Sequence, residues 1–414
     1  MSGRISSRKN IIVSTHDYVA PLRGGGGLRT VKVAFEFRAR GHNVVMIAPT
    51  EGISQISGIK VEWLHPPRKQ RSQILSALKF NLRLLRKLFK FIQNTDIIFV
   101  HNTIAALTIP FLKKVFHFHF FLDITDIHAE YLKIGRRNIF EKMLTPYLLK
   151  YEYYIINSAD FITVATKAMR ELLLLKGLDR NKIEVVYDGV DRENVPQDKE
   201  EGSESGVIHI GAVDRQHGVE LLIQAIPFII KDYPHTIFYF IGGGRELIAM
   251  KKLAEQLGII EHCVFTGWLA CEESRKFLKK ASIGIIPRKD ILPNKIITTL
   301  KVYEYWASKT AVISSPLDGL KEIASHNENI LWFRSGDPKD LAKKITFLLN
   351  NKEYKERLIV RGLTTVNHFD IKSSAARITD IVLRCVRRGV PIESTKKAGF
   401  ADEGICCFDS CELL

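Results

Sequence analysis

Short apolar runs rich in β-branched residues alternate with stretches of helical spacing from Asn10 to about Arg388. The first cycle reads NIIVS, a polar turn, then PLRGGGGLRTVKVAFEFRARGHNVVMIAP, which is strand, glycine loop, amphipathic helix and second strand. Strands joined through a helix run parallel, so this is a βαβ unit opening a parallel sheet. DIIFVHN and VFHFHFFLDITDIHAEYL add strands, the latter placing His117 and His119 on one face and ending in the polar group Asp123, Asp126 and His128. That end of an open α/β sheet is where ligands bind. The rhythm stops in RENVPQDKEEGSESG, residues 192–206, and restarts at VIHIGAVDRQHGVELLIQAI. The pattern predicts an α/β chain of two units, 1–195 and 206–370, then a helix over 371–390 and a tail over 391–414.

A chain of 414 residues suits two cores of roughly 200 residues each. Hydrophobic residues at 46% and charged residues at 26% are those of a globular protein rather than a disordered one. The net charge of +16 changes the picture by pointing to an anionic partner: nucleic acid, an anionic membrane face or a polyphosphate substrate. The stacked aromatics of RNA-binding modules are lacking, so nucleic acid is not expected. No run reaches the roughly 18–20 apolar residues of a membrane span, and SGRISSRKN followed by IIVS lacks the pattern of a signal peptide. The cysteines, Cys263, Cys271, Cys385, Cys406, Cys407 and Cys411, follow no metal-ligand spacing and suit free thiols in a reducing compartment. Residues 68–94 combine Leu75, Leu78, Leu82 and Phe89 with Lys79, Arg83, Arg86, Lys87 and Lys90 and hold no acid. A basic amphipathic helix of this kind suits an anionic membrane surface, or equally a core-packing helix with a solvated charged face.

The chemistry concentrates in PNKIITTLKVYEYWASKTAVISSPLDG, residues 293–319. Thr298 and Thr299 are N-cap candidates for a short helix to about Ala307, and TAVIS reads as a buried strand. Free N–H groups and the helix dipole favour a phosphate at that start, and Lys301 adds a cation in the first turn. Glu304 follows on the same face, where a carboxylate can accept hydrogen bonds from ribose hydroxyls. An exposed, merely solvated Lys301–Glu304 pair is the alternative reading.

The order Lys-x-x-Glu-Tyr-x-Ala, a turn and an apolar strand resembles the C-terminal half of the retaining glycosyltransferases of the GT-B fold, family 4. Further motifs agree in order from residue 10 to 388: the Gly24–Gly27 loop, RGHNVVMIAP, Asp188-Gly189-Val190-Asp191, Gly242–Gly244 and Thr266-Gly267-Trp268. The resemblance implies two Rossmann-like domains facing across a cleft, with the 371–390 helix crossing back to the first. It implies transfer of a sugar from a nucleotide-diphosphate donor to a glycan or lipid-linked acceptor, a precursor of a cell-surface glycan, with retention, no metal and no cofactor. Carried over by position, Gly26, Gly27, Gly211, Arg215, His217, Gly244, Thr298, Thr299, Lys301 and Glu304 are substrate-binding candidates, and Asp126, His128 and Glu304 catalytic ones.

Two departures stand out. The family helix carries a first glutamate for the donor sugar, where this chain has Ile296; the usual Gly-Arg and Lys-Gly cations of the diphosphate loop are here Gly211-Ala212 and His217-Gly218. Arg288 and Lys289 are nearby substitutes. The expected location is cytoplasmic, with peripheral attachment to the inner membrane face through 68–94, and no oligomeric state is implied. The rival readings are a nucleotide-sugar epimerase or hydrolase on the same fold, and a non-catalytic binder of membrane surface or polyanion.

Overall fold

The computed structural model describes residues 8–65, 73–133 and 139–388. The start of the expected basic helix, residues 68–72, and the 391–414 tail with its three cysteines lie outside the described residues. The first sheet contains β1 (Asn10–Thr15), β2 (Asn43–Pro49), β3 (Gln55–Ile56), β4 (Ile59–Leu64), β5 (Ile97–His101), β6 (His119–Ile124), β7 (Phe161–Val164) and β8 (Ile183–Val185), in the order β3-β4-β2-β1-β5-β6-β7-β8. All its pairings are parallel except β3 with β4. The second contains β9 (Val207–Ile210), β10 (Phe238–Ile241), β11 (Cys263–Gly267), β12 (Ile283–Ile286), β13 (Ala311–Ser314) and β14 (Leu331–Trp332), parallel throughout in the order β11-β10-β9-β12-β13-β14. This is the GT-B architecture anticipated from the sequence.

Helices cover both faces of each sheet, which is why the strands read as continuous apolar runs rather than alternating ones. In β1, Ile12 joins Phe80, Leu84 and Ile156 in the core on one side. Its neighbours Ile11 and Val13 face Val33, Phe37, Ile378 and Val382 on the other. The last two come from the Ile371–Arg388 helix, which therefore crosses back onto the first lobe, and Arg377 fixes it further through Glu184 at 2.9 Å. The strand signal in VFHFHFF begins later than expected: β6 starts at His119, so His117 precedes the strand.

Polar and apolar contacts join the lobes. Ile296 and Ile297, though second-lobe residues in sequence, are each 5% exposed and sit in the apolar cluster of the first lobe. The Thr166 hydroxyl donates to the Ile296 carbonyl. Glu322 accepts the backbone N–H groups of Lys167 at 2.7 Å and Ala168 at 2.6 Å, and the Tyr187 hydroxyl at 2.9 Å. A second-lobe carboxylate thus caps the first-lobe helix Lys167–Leu175, where the helix dipole favours negative charge.

Candidate active site

The strand ends of the two sheets enclose a cleft of about 290 Å³. On the second-lobe side it is walled by the start of the Leu300–Ala307 helix, with Thr298, Thr299, Lys301 and Glu304 all on the lining. Thr299 is the N-cap, and its side chain closes no capping hydrogen bond. The helix holds its position because Tyr303, Tyr305 and Trp306 are almost wholly buried on its other faces, with the Trp306 indole donating to the Asn329 carbonyl at 2.8 Å.

Lys301 is 8% exposed, and its ammonium has no ion pair or hydrogen bond to a described residue. Burial, then the charge of Arg288, drives its pKa well below the ordinary lysine value, with Glu304 opposing them. Its stem lies against Gly211, where a Cβ would fall 2.5 Å from Cε, so only glycine lets the strand end and the lysine approach this closely. Glu304 is held rather than free: Arg275 Nε donates to its Oε1 at 3.1 Å. Nearby, the His217 ring is buried with Nδ1 lacking a partner. Arg288 reaches the cleft from the end of β12; one guanidinium nitrogen donates to Asn294 Oδ1 at 3.0 Å while its buried Nε has none.

The first-lobe wall is the glycine loop at the start of the Gly25–Ala39 helix and the end of β6. A Cβ on Gly26 would fall 2.2 Å from Asp17 Oδ2, and one on Gly27 would fall 2.1 Å from the Tyr18 carbonyl, so this close packing excludes any side chain. Asp126 lines the cleft and accepts the Tyr131 hydroxyl at 2.9 Å. Burial pushes its carboxyl up to about 6, with Arg288 across the cleft pulling the other way. His128 lies behind it, meeting His16 edge-on at 4.9 Å, and burial together with His16 pushes it down to about 3.

Arg29, which is 1% exposed, also belongs to this wall and binds Asp123 through Nε at 2.7 Å and Nη2 at 2.9 Å, and Asp188, likewise on the lining, through Nη1 at 2.8 Å. Asp123 also takes Thr163 Oγ1 at 2.6 Å and contacts His101 Nδ1 at 2.9 Å. Burial works to raise the Asp123 pKa, yet Arg29 and His101 hold it well below the usual carboxylate range. Asp188 and Asp191 anchor Arg29 and Lys32 of the glycine-loop helix.

Several candidates fall elsewhere. Arg215 pairs with Glu246 at 3.4 Å and is not on the cleft wall, and Lys289 pairs with Glu220 at 2.6 Å. Gly244 packs on the Val213 carbonyl behind the wall. Residues that the sequence reading passed over include Arg29, Arg275 and His209. Arg29 had a signal, since it shares the apolar face of its helix with Val33 and Phe37, and so did His209, set in the apolar run VIHIG.

Two family models divide the chain at the linker: one described as Glycosyltransferase Family 4 matches residues 23–194, and one described as Glycosyl transferases group 1 matches 191–364. The chain belongs to glycosyltransferase family 4. An uncharacterized glycosyltransferase of Methanocaldococcus jannaschii is 25% identical over 226 residues, covering 51% of this chain and 55% of that protein. The lipopolysaccharide core biosynthesis glycosyltransferase LpsD of Rhizobium meliloti is 26% identical over 184 residues, 44% of this chain and 50% of its own length. The family 4 chain spans about half the length of these relatives. Among solved structures, a sucrose-phosphate synthase from Thermosynechococcus elongatus superposes with a TM-score of 0.73 at 16% identity, over 92% of this chain and all of the other. Anabaena HepE in complex with UDP-glucose gives a TM-score of 0.70 at 14% identity, over 91% of this chain and 100% of HepE. At such identities these likenesses establish the fold alone.

Within the family 4 frame, the residue in place of the first helix glutamate has a structural job. Ile296 is buried against the first lobe, where an unpaired carboxylate would be costly.

Proposed function

We propose that this family 4 chain transfers a sugar from a nucleotide-diphosphate donor, held by the second lobe, to an acceptor that enters along the first. The observation that carries the reading is the largely buried Lys301, whose ammonium has no salt-bridge partner among the described residues, at a helix start that opens on the cleft. The diphosphate fits there, on the helix N–H groups beside Thr298 and Thr299. Glu304, with Oε1 on Arg275, offers its other oxygen to the ribose. HepE, a fold neighbour, is described in complex with UDP-glucose, which supports a nucleotide-sugar donor.

The bond from the anomeric carbon to the phosphate oxygen breaks as one to the acceptor oxygen forms on the same face of the sugar. Charge develops on the leaving diphosphate, and prearranged cations and N–H groups stabilise it without a protein nucleophile. The leaving phosphate takes the acceptor proton. Asp126, in the first-lobe wall, orients the acceptor hydroxyl, while His128 braces the strand end against His16. Neither a metal nor a cofactor takes part in this scheme, so transfer persists in EDTA.

The acceptor is a lipid-linked or cell-surface glycan precursor, reached from the cytoplasmic face of a membrane. Support comes from the Gln73–Leu88 helix, whose Leu78 and Leu82 are 50% and 61% exposed among Lys79, Arg83 and Arg86. No helix among the described residues is long and apolar enough to cross a membrane. A thermal-shift screen of UDP-, GDP- and ADP-sugars identifies the donor, because a ligand bound by the native state raises apparent stability. Turnover of that donor then falls about 10- to 100-fold in Glu304→Gln, the loss of one charge-assisted hydrogen bond. Equal turnover in the two proteins overturns the assignment.

A further inference from the structure

Lys301 and Glu304 stand one turn apart on the Leu300–Ala307 helix and both line the cleft, at the spacing where a lysine and a carboxylate on a helix ordinarily meet. Here they form no ion pair. Glu304 turns instead to Arg275, whose Nε donates to Oε1 at 3.1 Å, while Oε2 has no hydrogen bond to a described residue. Arg275 is 12% exposed and Glu304 18%, so water screens this contact less than it does a surface pair.

Arg275 works from a fixed base. It belongs to the short Cys271–Lys276 helix, and Leu278 in the following turn is wholly buried in the same apolar cluster as Val302 and Trp306 of the glutamate's helix. The arginine and the carboxylate are thus carried on elements that share one core. A further guanidinium nitrogen, Nη1, reaches the Asn194 carbonyl of the linker at 3.5 Å.

Resting on the nucleotide-sugar reading above, we propose that Arg275 is a positioning residue for the donor: it holds Glu304 Oε1 away from Lys301, presents Oε2 to a ribose hydroxyl, and leaves the Lys301 ammonium free for the ligand.

The reason is competition for one carboxylate. Lys301 is the sole cation on the glutamate's own helix, and without Arg275 it is the partner that Glu304 reaches by rotating its side chain. A Lys301–Glu304 pair would withdraw both groups from the cleft at once. Arg275 prevents that, and it also fixes a side chain of three rotatable bonds before the ligand arrives, so that binding need not offset the loss of that freedom. A guanidinium suits the task because its donors point in set directions, here towards Glu304 and the linker carbonyl together, whereas an ammonium is a point charge on a flexible stem.

The test is calorimetric titration of the whole chain with UDP, GDP and ADP, then with the 2′-deoxy and 3′-deoxy forms of the one that binds. The parent should hold the ribonucleotide about 10- to 100-fold tighter than at least one deoxy form, the worth of a hydrogen bond to a charged group. In Arg275→Met that ratio should fall below about 3-fold, with Arg275→Lys between the two, and the lysine variant serves alone if the methionine variant does not fold. A double-mutant cycle separates positioning from a merely structural role. In the Glu304→Gln background, Arg275→Met should change the ratio no further, a coupling that lost packing does not produce. A ratio kept in the Arg275 variants, or affinity lowered alike for ribo and deoxy forms in both backgrounds, overturns the positioning role and leaves the glycosyltransferase reading standing. A parent that binds ribo and deoxy forms equally sinks the ribose assignment of Glu304 and the part of Arg275 with it. A chain that binds none of the three nucleotides sinks the donor reading as well.

Discussion

Replacing Arg29 by methionine removes the guanidinium that joins three elements of the first lobe while keeping much of the side-chain volume. Asp123, fully buried, would keep only His101 and Thr163, while Asp188 and the Val186 carbonyl would lose their buried donor. Breaking a buried pair by removing one partner costs about 3–5 kcal/mol, a large share of the roughly 5–15 kcal/mol that holds a typical protein folded. With a urea dependence of about 1–3 kcal/mol per molar, the midpoint for the first lobe should fall by about 1 M or more. Urea unfolding followed by circular dichroism reads this directly. The pH dependence separates a charge effect from a packing effect. In the native protein the Asp123 pKa is depressed, so its stabilisation is fully present above about pH 4 and is lost as pH falls through the folded-state value. Without Arg29 the carboxylate is buried and less compensated, its pKa rises, and the deficit should shrink on acidification from pH 7 to 4. A midpoint within about 0.3 M of the parent at pH 7, or a deficit that does not vary with pH, refutes the reasoning.

Three further outcomes can be checked. Glu322→Ala uncaps the Lys167–Leu175 helix and removes the acceptor of Tyr187; a loss of about 1 kcal/mol and a larger radius of gyration in solution scattering are expected. An unchanged radius would mean that this contact does not hold the lobes closed. Because the Asp126 carboxyl is pushed up to about 6, its ionisation costs stability as pH rises through that value, so Asp126→Asn should raise the melting temperature at pH 8 and change it little at pH 4. The paired change Leu78→Glu and Leu82→Glu should abolish flotation with anionic vesicles while leaving donor binding intact, since both leucines lie on an exposed face away from the cleft.

The order of strands, glycine loops and helices was readable from sequence because each strand is buried on both faces and so appears as an uninterrupted apolar run between turn residues. The returning helix and the short helix ending at Ala307 were readable because helical periodicity is local. What sequence could not assign is which charges meet. Arg29 and Asp123 are far apart in the chain yet bidentate partners, and Arg275 reaches Glu304 from a separate helix. Arg215 was a substrate-binding candidate and Arg288 a nearby substitute for the missing cations, but Arg215 pairs with Glu246 off the cleft wall whereas Arg288 lines the cleft. Ile296 resembled a lost ligand until its burial against the other lobe gave it a packing role. Local pattern determines where an element begins and which face it buries; the partners of a charged side chain depend on how the sheets and lobes bring distant segments together, and only the tertiary structure decides that.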